Sequence, residues 1–157
     1  MTALLELISG SELSRLLRQS FWLYPLVNTG HIVGLGLLIG AVIPLDIRLL
    51  GGWPDVPVRS VARVLLPCAS FGLVLTIGCG ILLFVARPED YVSSSLFVAK
   101  LCLVTAGLLN AIWLTARRTW KSALQSDSLS AAVKLHSFLS IVIWLAVVFI
   151  GRLIGYR

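Results

Sequence analysis

Charge is scarce in this chain of 157 residues: only 13% are Asp, Glu, Lys or Arg, about half the share of an ordinary soluble domain. Acid is scarcest. There are seven Asp and Glu residues, none in the middle of an apolar run, and no two form a pair suited to acid–base chemistry. No GxSxG, HExxH or phosphate-binding loop is present, which removes the familiar hydrolase and kinase sites. Cysteine is limited to Cys68, Cys79 and Cys102. The number is odd, none sits in a CxxC and all lie in apolar runs, so they read as small buried hydrophobes rather than a disulfide framework. No cleavable signal is expected in these residues either, because Glu6, Glu12, Arg15 and Arg18 interrupt the first twenty. Lipidation motifs, internal repeats and low-complexity tracts are absent.

What is plentiful is apolar surface. Hydrophobic residues make up 58% of the chain and mean hydropathy is +0.96. A soluble protein so composed could not cover itself with polar groups. The length suits a single membrane domain, residues 1–157, and the expected class is all-α: an integral membrane four-helix bundle with an N-terminal amphipathic helix at the interface. The net charge of +6 comes from cations at the ends of apolar runs. It therefore points to lipid headgroups and topology, with the bilayer as partner and no nucleic acid.

Residues 2–20 are too polar to span. Leu4, Leu7, Ile8, Leu13, Leu16 and Leu17 recur at helical spacing, and Ser9 with Glu12 fits a capping box that restarts the helix near Gly10. Spans are expected at about 22–44, 61–86, 96–116 and 131–154. Trp22 and Tyr24 anchor the first at the interface, and Pro25 suits its first turn. Gly30, Gly34, Gly36 and Gly40 permit close helix contact, as does the stripe Cys68, Gly72, Thr76 and Gly80 in the second span. Pro67 is expected to kink that span. The loop at 45–60 carries Asp46 and Arg48, read as an interfacial pair. Loop 87–95 is short, so spans 2 and 3 are expected as antiparallel neighbours. Trp120, among the cations of loop 117–130, is expected at the interface.

An even number of spans puts both termini and loop 87–95 on one side, A, and the other two loops on side B. Side B holds Arg48, Arg59, Arg63, Arg117, Arg118, Lys121 and Lys134. Side A holds Arg15, Arg18, Arg87, Arg152 and Arg157. The excess on side B places it in the cytoplasm and the termini in the periplasm of a bacterial inner membrane.

Ionisable groups inside a bilayer are costly, so each is a candidate site. Helical rise puts Arg152 about 5 Å, Lys100 about 6 Å, Asn28 about 9 Å, His31 about 14 Å and Trp144 about 16 Å from the side A edge. With Tyr24 and Thr76 these would line one cavity, open to side A. Tyr24, Asn28 and His31 follow i, i+4, i+7 along one face. Cys79 and Cys102 fall at matching depth, and with His31 they offer sulfur and imidazole to Cu(I). His136 lies about 13 Å deeper than His31, which disfavours a haem held by both. It reads as an interfacial residue at the mouth of span 4, and Asn110 as an interhelical hydrogen-bonding residue.

The segments Trp22–His31, Leu45–Gly51, Leu66-Pro67 and Gly80–Phe84, then Phe97, Lys100, Asn110 and Gly151–Tyr156, resemble an uncharacterised family of small bacterial inner-membrane proteins. The resemblance covers most of the chain and implies a four-span bundle. It singles out Tyr24, Pro25, His31, Asp46, Arg48, Lys100, Asn110 and Arg152; His136 matches no position in it. More remotely, the chain is similar to CopD-type copper-resistance domains and to four-helix b-type cytochromes. Three functions are therefore expected in competition. One is a non-enzymatic accessory or assembly component, homo-oligomeric or part of a membrane complex. The second is a haem b or quinone site around His31, and the third is transport of copper or a small solute.

Overall fold

A computed structural model describes residues 2–156, with side chains from Leu5 onward. Arg157, counted among the side A cations, and the side chain of Leu4 lie outside the described residues. Eight helices follow one another: α1 (Thr2–Ser9), α2 (Glu12–Gln19), α3 (Leu23–Leu50), α4 (Val58–Ala86), α5 (Pro88–Val92), α6 (Ser95–Thr115), α7 (Arg118–Ser126) and α8 (Ala131–Ile154). Among the described residues there is no strand. α3, α4, α6 and α8 are long and apolar enough to cross a bilayer. Their outward faces carry large apolar side chains such as Leu26, Ile32, Val64, Phe71, Val74, Ile112, Phe138 and Phe149, the pattern of a surface solvated by acyl chains. The chain is a multi-pass membrane protein.

The first span is longer than expected. α3 runs through Pro44 for 28 residues, about 42 Å at 1.5 Å per residue. In lipid a helix tolerates an internal proline because neighbouring groups compensate for the lost bond. Asp46 and Arg48 are consequently helical and buried, not loop residues. They do not pair. Arg48 donates from Nε to the Val56 carbonyl and reaches Asp127 at 3.4 Å, while Asp46 turns to α8. α4 likewise continues through Pro67. The N-terminal segment is two helices, broken at Gly10. The second is capped by Ser11, whose Oγ accepts from the Ser14 N–H at 3.2 Å; Ser9 instead donates to the Glu6 carbonyl.

Glycines decide which spans meet. A Cβ on Gly72 would lie 2.6 Å from the Leu38 nitrogen and 2.7 Å from the Gly34 carbonyl oxygen, and one on Gly34 would lie 2.6 Å from Thr76 Oγ1. α3 and α4 therefore cross backbone to backbone along the predicted stripe of small residues. Gly107 of α6 receives the Trp144 ring of α8, at 3.2 Å from its hypothetical Cβ. α3 also packs on α8, giving the spatial order α4, α3, α8, α6. Among the described residues α4 and α6 do not approach closely, so the expectation that they are neighbours is corrected. The short α5 separates them, and they meet through the stacked rings of Phe84 and Phe97, 5.7 Å apart.

Three apolar layers fill the interior. Leu17, Val27, Leu83 and Ala86 lie toward side A. Leu38, Trp144 and Val147 form the middle. Leu45, Leu49, Val58, Ala62, Leu114, Trp120 and Val133 lie toward side B. Trp120 is thus a core residue rather than an interfacial anchor, since α7 folds back over the bundle end. Asn110 and His136 tie α6 to α8 at two points: Asn110 Nδ2 donates to the His136 carbonyl at 2.9 Å, and His136 Nδ1 pairs with Asn110 Oδ1 at 2.7 Å.

Candidate functional site

The buried seam of α3 runs through Val27, Gly34, Leu38, Ala41 and Leu45. His31 falls on that register, between the side A and middle layers. Its Nδ1 lies 2.9 Å from the Thr76 carbonyl of α4. A carbonyl can only accept, so Nδ1 carries a proton, and in the neutral ring Nε2 is left as a lone-pair acceptor. The ring passes over Gly80, where a Cβ would stand 3.2 Å from Cε1. Thr76 Oγ1 is buried and has no partner.

Lys100 of α6 reaches inward across Gly151 of α8, its Nζ 3.4 Å from where a Cβ would be. The ammonium is within electrostatic reach of the imidazole. It forms no salt bridge or hydrogen bond with the described residues. Every span therefore contributes to one polar layer: His31 from α3, Thr76 and Gly80 from α4, Lys100 from α6, Gly151 from α8. The glycines leave the space that the two long side chains enter. Gly151 was not among the expected site residues.

Toward side A the layer is roofed by aromatic rings. Tyr91 of α5 lies 5.1 Å from the Phe97 ring and 6.2 Å from that of Phe84. Burial pushes the Tyr91 phenol above its ordinary value, Tyr24 adding to the effect and Arg87 opposing it, so it stays a neutral O–H. The Arg87 guanidinium sits 5.8 Å from the Tyr24 ring centroid. Two shallow hollows lie elsewhere. One of about 450 Å³ is bounded by Glu6, Arg18, Arg87 and Asp90, and one of about 140 Å³ by Trp113, Arg117 and His136.

Several expected members are not in the layer. Asn28 is exposed on α3, because it is one residue beyond the seam position Val27 and so turned about 100° from it. Trp144 is buried in the middle apolar layer against Gly107. Arg152 is exposed; it donates to the Tyr156 hydroxyl at 2.7 Å and lies over that ring. Tyr24 is half-buried beneath Arg87 with the side A layer. Cys79 packs at Gly30, where a Cβ would be 2.8 Å from its sulfur. Cys102 is exposed, two residues beyond Lys100 and so on the opposite side of α6. The His31, Cys79, Cys102 metal set is corrected accordingly: among the described residues no three His, Cys, Asp or Glu groups come together to hold a metal.

Residues 23–157 match a family described as a family of unknown function (DUF6644). No curated protein and no solved structure matches, so the remoter likeness to CopD-type and b-type cytochrome domains has no support.

Proposed function

Since the chain belongs to that family, whose function is unknown, its activity has to be argued from its own residues, and we propose that it is an accessory membrane component that binds a quinone-class lipid-soluble carrier at His31 and Lys100. One observation carries this reading. An imidazole whose neutral form leaves Nε2 as an acceptor and an ammonium without a carboxylate partner among the described residues lie within electrostatic reach of each other inside the bundle. Nε2 would accept from a quinol hydroxyl and Lys100 would donate to a quinone carbonyl, so oxidised and reduced carriers each find a partner. The isoprenoid tail would leave between α4 and α6 into lipid, and the neutral Tyr91 would close the side A end. We place the chain in a bacterial inner membrane with its termini periplasmic, on the cation excess of the side B loops.

A haem b at the same imidazole is the competing reading, and it rests on the same free Nε2. The donor set fits it less well. The other imidazole, His136, is tied to Asn110 near the far end of the bundle. Membership of a larger complex draws on a different observation. Asn28 is exposed in α3 with no hydrogen bond to the described residues, and it shares an i+4 row with Gly36 and Gly40, where a Cβ would meet nothing. The test is solvent extraction of protein purified in mild detergent from quinone-containing membranes. We expect quinone in the extract, reduced about tenfold in His31→Ala, the loss that one charged or strongly oriented hydrogen bond brings. An extract without quinone, or a Soret band in its place, would overturn the reading.

A further inference from the structure

On the side B half lies a second polar group that the proposed carrier site does not use. Asp46 of α3 is 5% exposed and faces Ser137 and Ser140 of α8, which are 0% and 7% exposed. Asp46 Oδ2 and Ser137 Oγ have no hydrogen-bond partner among the described residues. No salt bridge among the described residues involves Asp46. The charges around it are all turned away. On its own helix Arg48 is spent on Val56 and Asp127. On α4 Arg59 and Arg63 are exposed. On α8 Lys134 is exposed, and His136 is occupied by Asn110.

A carboxylate buried in a low-dielectric layer needs its charge neutralised. Among the described residues no cation is supplied here, only two hydroxyl oxygens. We infer that Asp46, Ser137 and Ser140 form a binding site for an exchangeable monovalent cation, either a proton or an alkali ion, between α3 and α8. A proton would sit on Oδ2 and be donated to a serine Oγ. An alkali ion would take oxygen from all three side chains. The site lies outside the α4–α6 seam and stands or falls independently of the carrier reading.

The experiment is labelling of the full chain in detergent with dicyclohexylcarbodiimide, which adds to a carboxyl that carries a proton. It is read by peptide mass spectrometry in sodium-free choline buffer. An exchangeable site gives modified Asp46, with a rate that falls about tenfold per pH unit once the proton is lost. Protection by NaCl but not by choline chloride identifies an alkali ion, and labelling indifferent to sodium identifies a proton. Ser137→Ala with Ser140→Ala keeps the carboxyl and removes the hydroxyls, so sodium protection, where seen, is expected to disappear in it. Asp46 left unmodified from pH 5 to 8 in sodium-free buffer, as for a carboxylate locked in an ion pair, would overturn the inference.

Discussion

The two sides of α4 are built in opposite ways. Against α3 it presents Gly72 to Gly34 and the backbones nearly touch. Against α6 it presents no such contact: the stacked rings of Phe84 and Phe97 bridge the two at one end, and Lys100 of α6 reaches instead to Gly151 of α8. In lipid there is no hydrophobic gain from bringing two apolar helices together, so close packing depends on small residues. Where two small residues face each other, as Gly34 and Gly72 do, the helices weld. Small residues without such a facing partner, Gly36, Gly40 and Gly78, meet nothing. A binding site in a small bundle then needs a failure of packing on one side, held in place by tight packing on the other.

The comparison breaks most completely at Gly72. Gly72→Val places a side chain into the Leu38 backbone, where nothing can give, and we expect a loss of about 3 kcal/mol or more, seen as aggregation at low temperature in a detergent thermal melt. A melt like that of the unmodified chain would show that the α3–α4 contact is not the welded one. On the other pair of spans, Asn110→Leu removes both hydrogen bonds to His136, and intramembrane bonds of this kind are worth about 1 kcal/mol. A drop of a few degrees in the same melt is expected.

Lys100→Met sharpens the contrast because it moves two quantities in opposite directions. Removing an unpaired ammonium from a half-buried position raises the melting temperature of the ligand-free protein, since its desolvation cost disappears. Losing a charged donor weakens quinone-analogue binding about tenfold or more. A variant that is both less stable and unchanged in binding would mean that Lys100 merely packs. The smallest effect is expected at Cys102→Ser, on the lipid side of α6, within about 0.5 kcal/mol and with no change in metal content.

Much of this was legible in the residues. The four spans, the close contact through Gly34, Gly72 and Thr76 and the separate fates of His31 and His136 follow from length, small-residue spacing and rise; the break near Gly10 was read from a Ser9 cap, where the structure caps α2 with Ser11. Rotation of the helices did not follow. A soluble helix reveals its inner face by where the apolar residues are, but these spans are apolar all round, because both core and lipid accept them. Trp144 was therefore assigned to the site by depth, Arg152 by depth and the resemblance, and Asn28 by depth and a face shared with Tyr24 and His31; Asn28 is exposed, and none of these signals fixes the direction of a side chain. Asp46 was singled out but placed in a loop, for a different reason: Pro44 reads as a helix end in water and is carried inside a helix in the membrane. The best available signal for facing was the register of small residues. Gly34 marks the buried side of α3, and His31 lies one turn before it on that same side.

The proposed site depends on His31 holding its proton on Nδ1 and offering Nε2 to a ligand. Nitrogen NMR of imidazole-labelled protein in detergent, recorded during titration with a short-chain quinol, tests this directly. We expect the Nε2 resonance of His31 to move toward that of a hydrogen-bond acceptor while Nδ1, held by the Thr76 carbonyl, stays in place. Two unmoved His31 resonances at saturating quinol, or a proton found on Nε2 from the start, would contradict it.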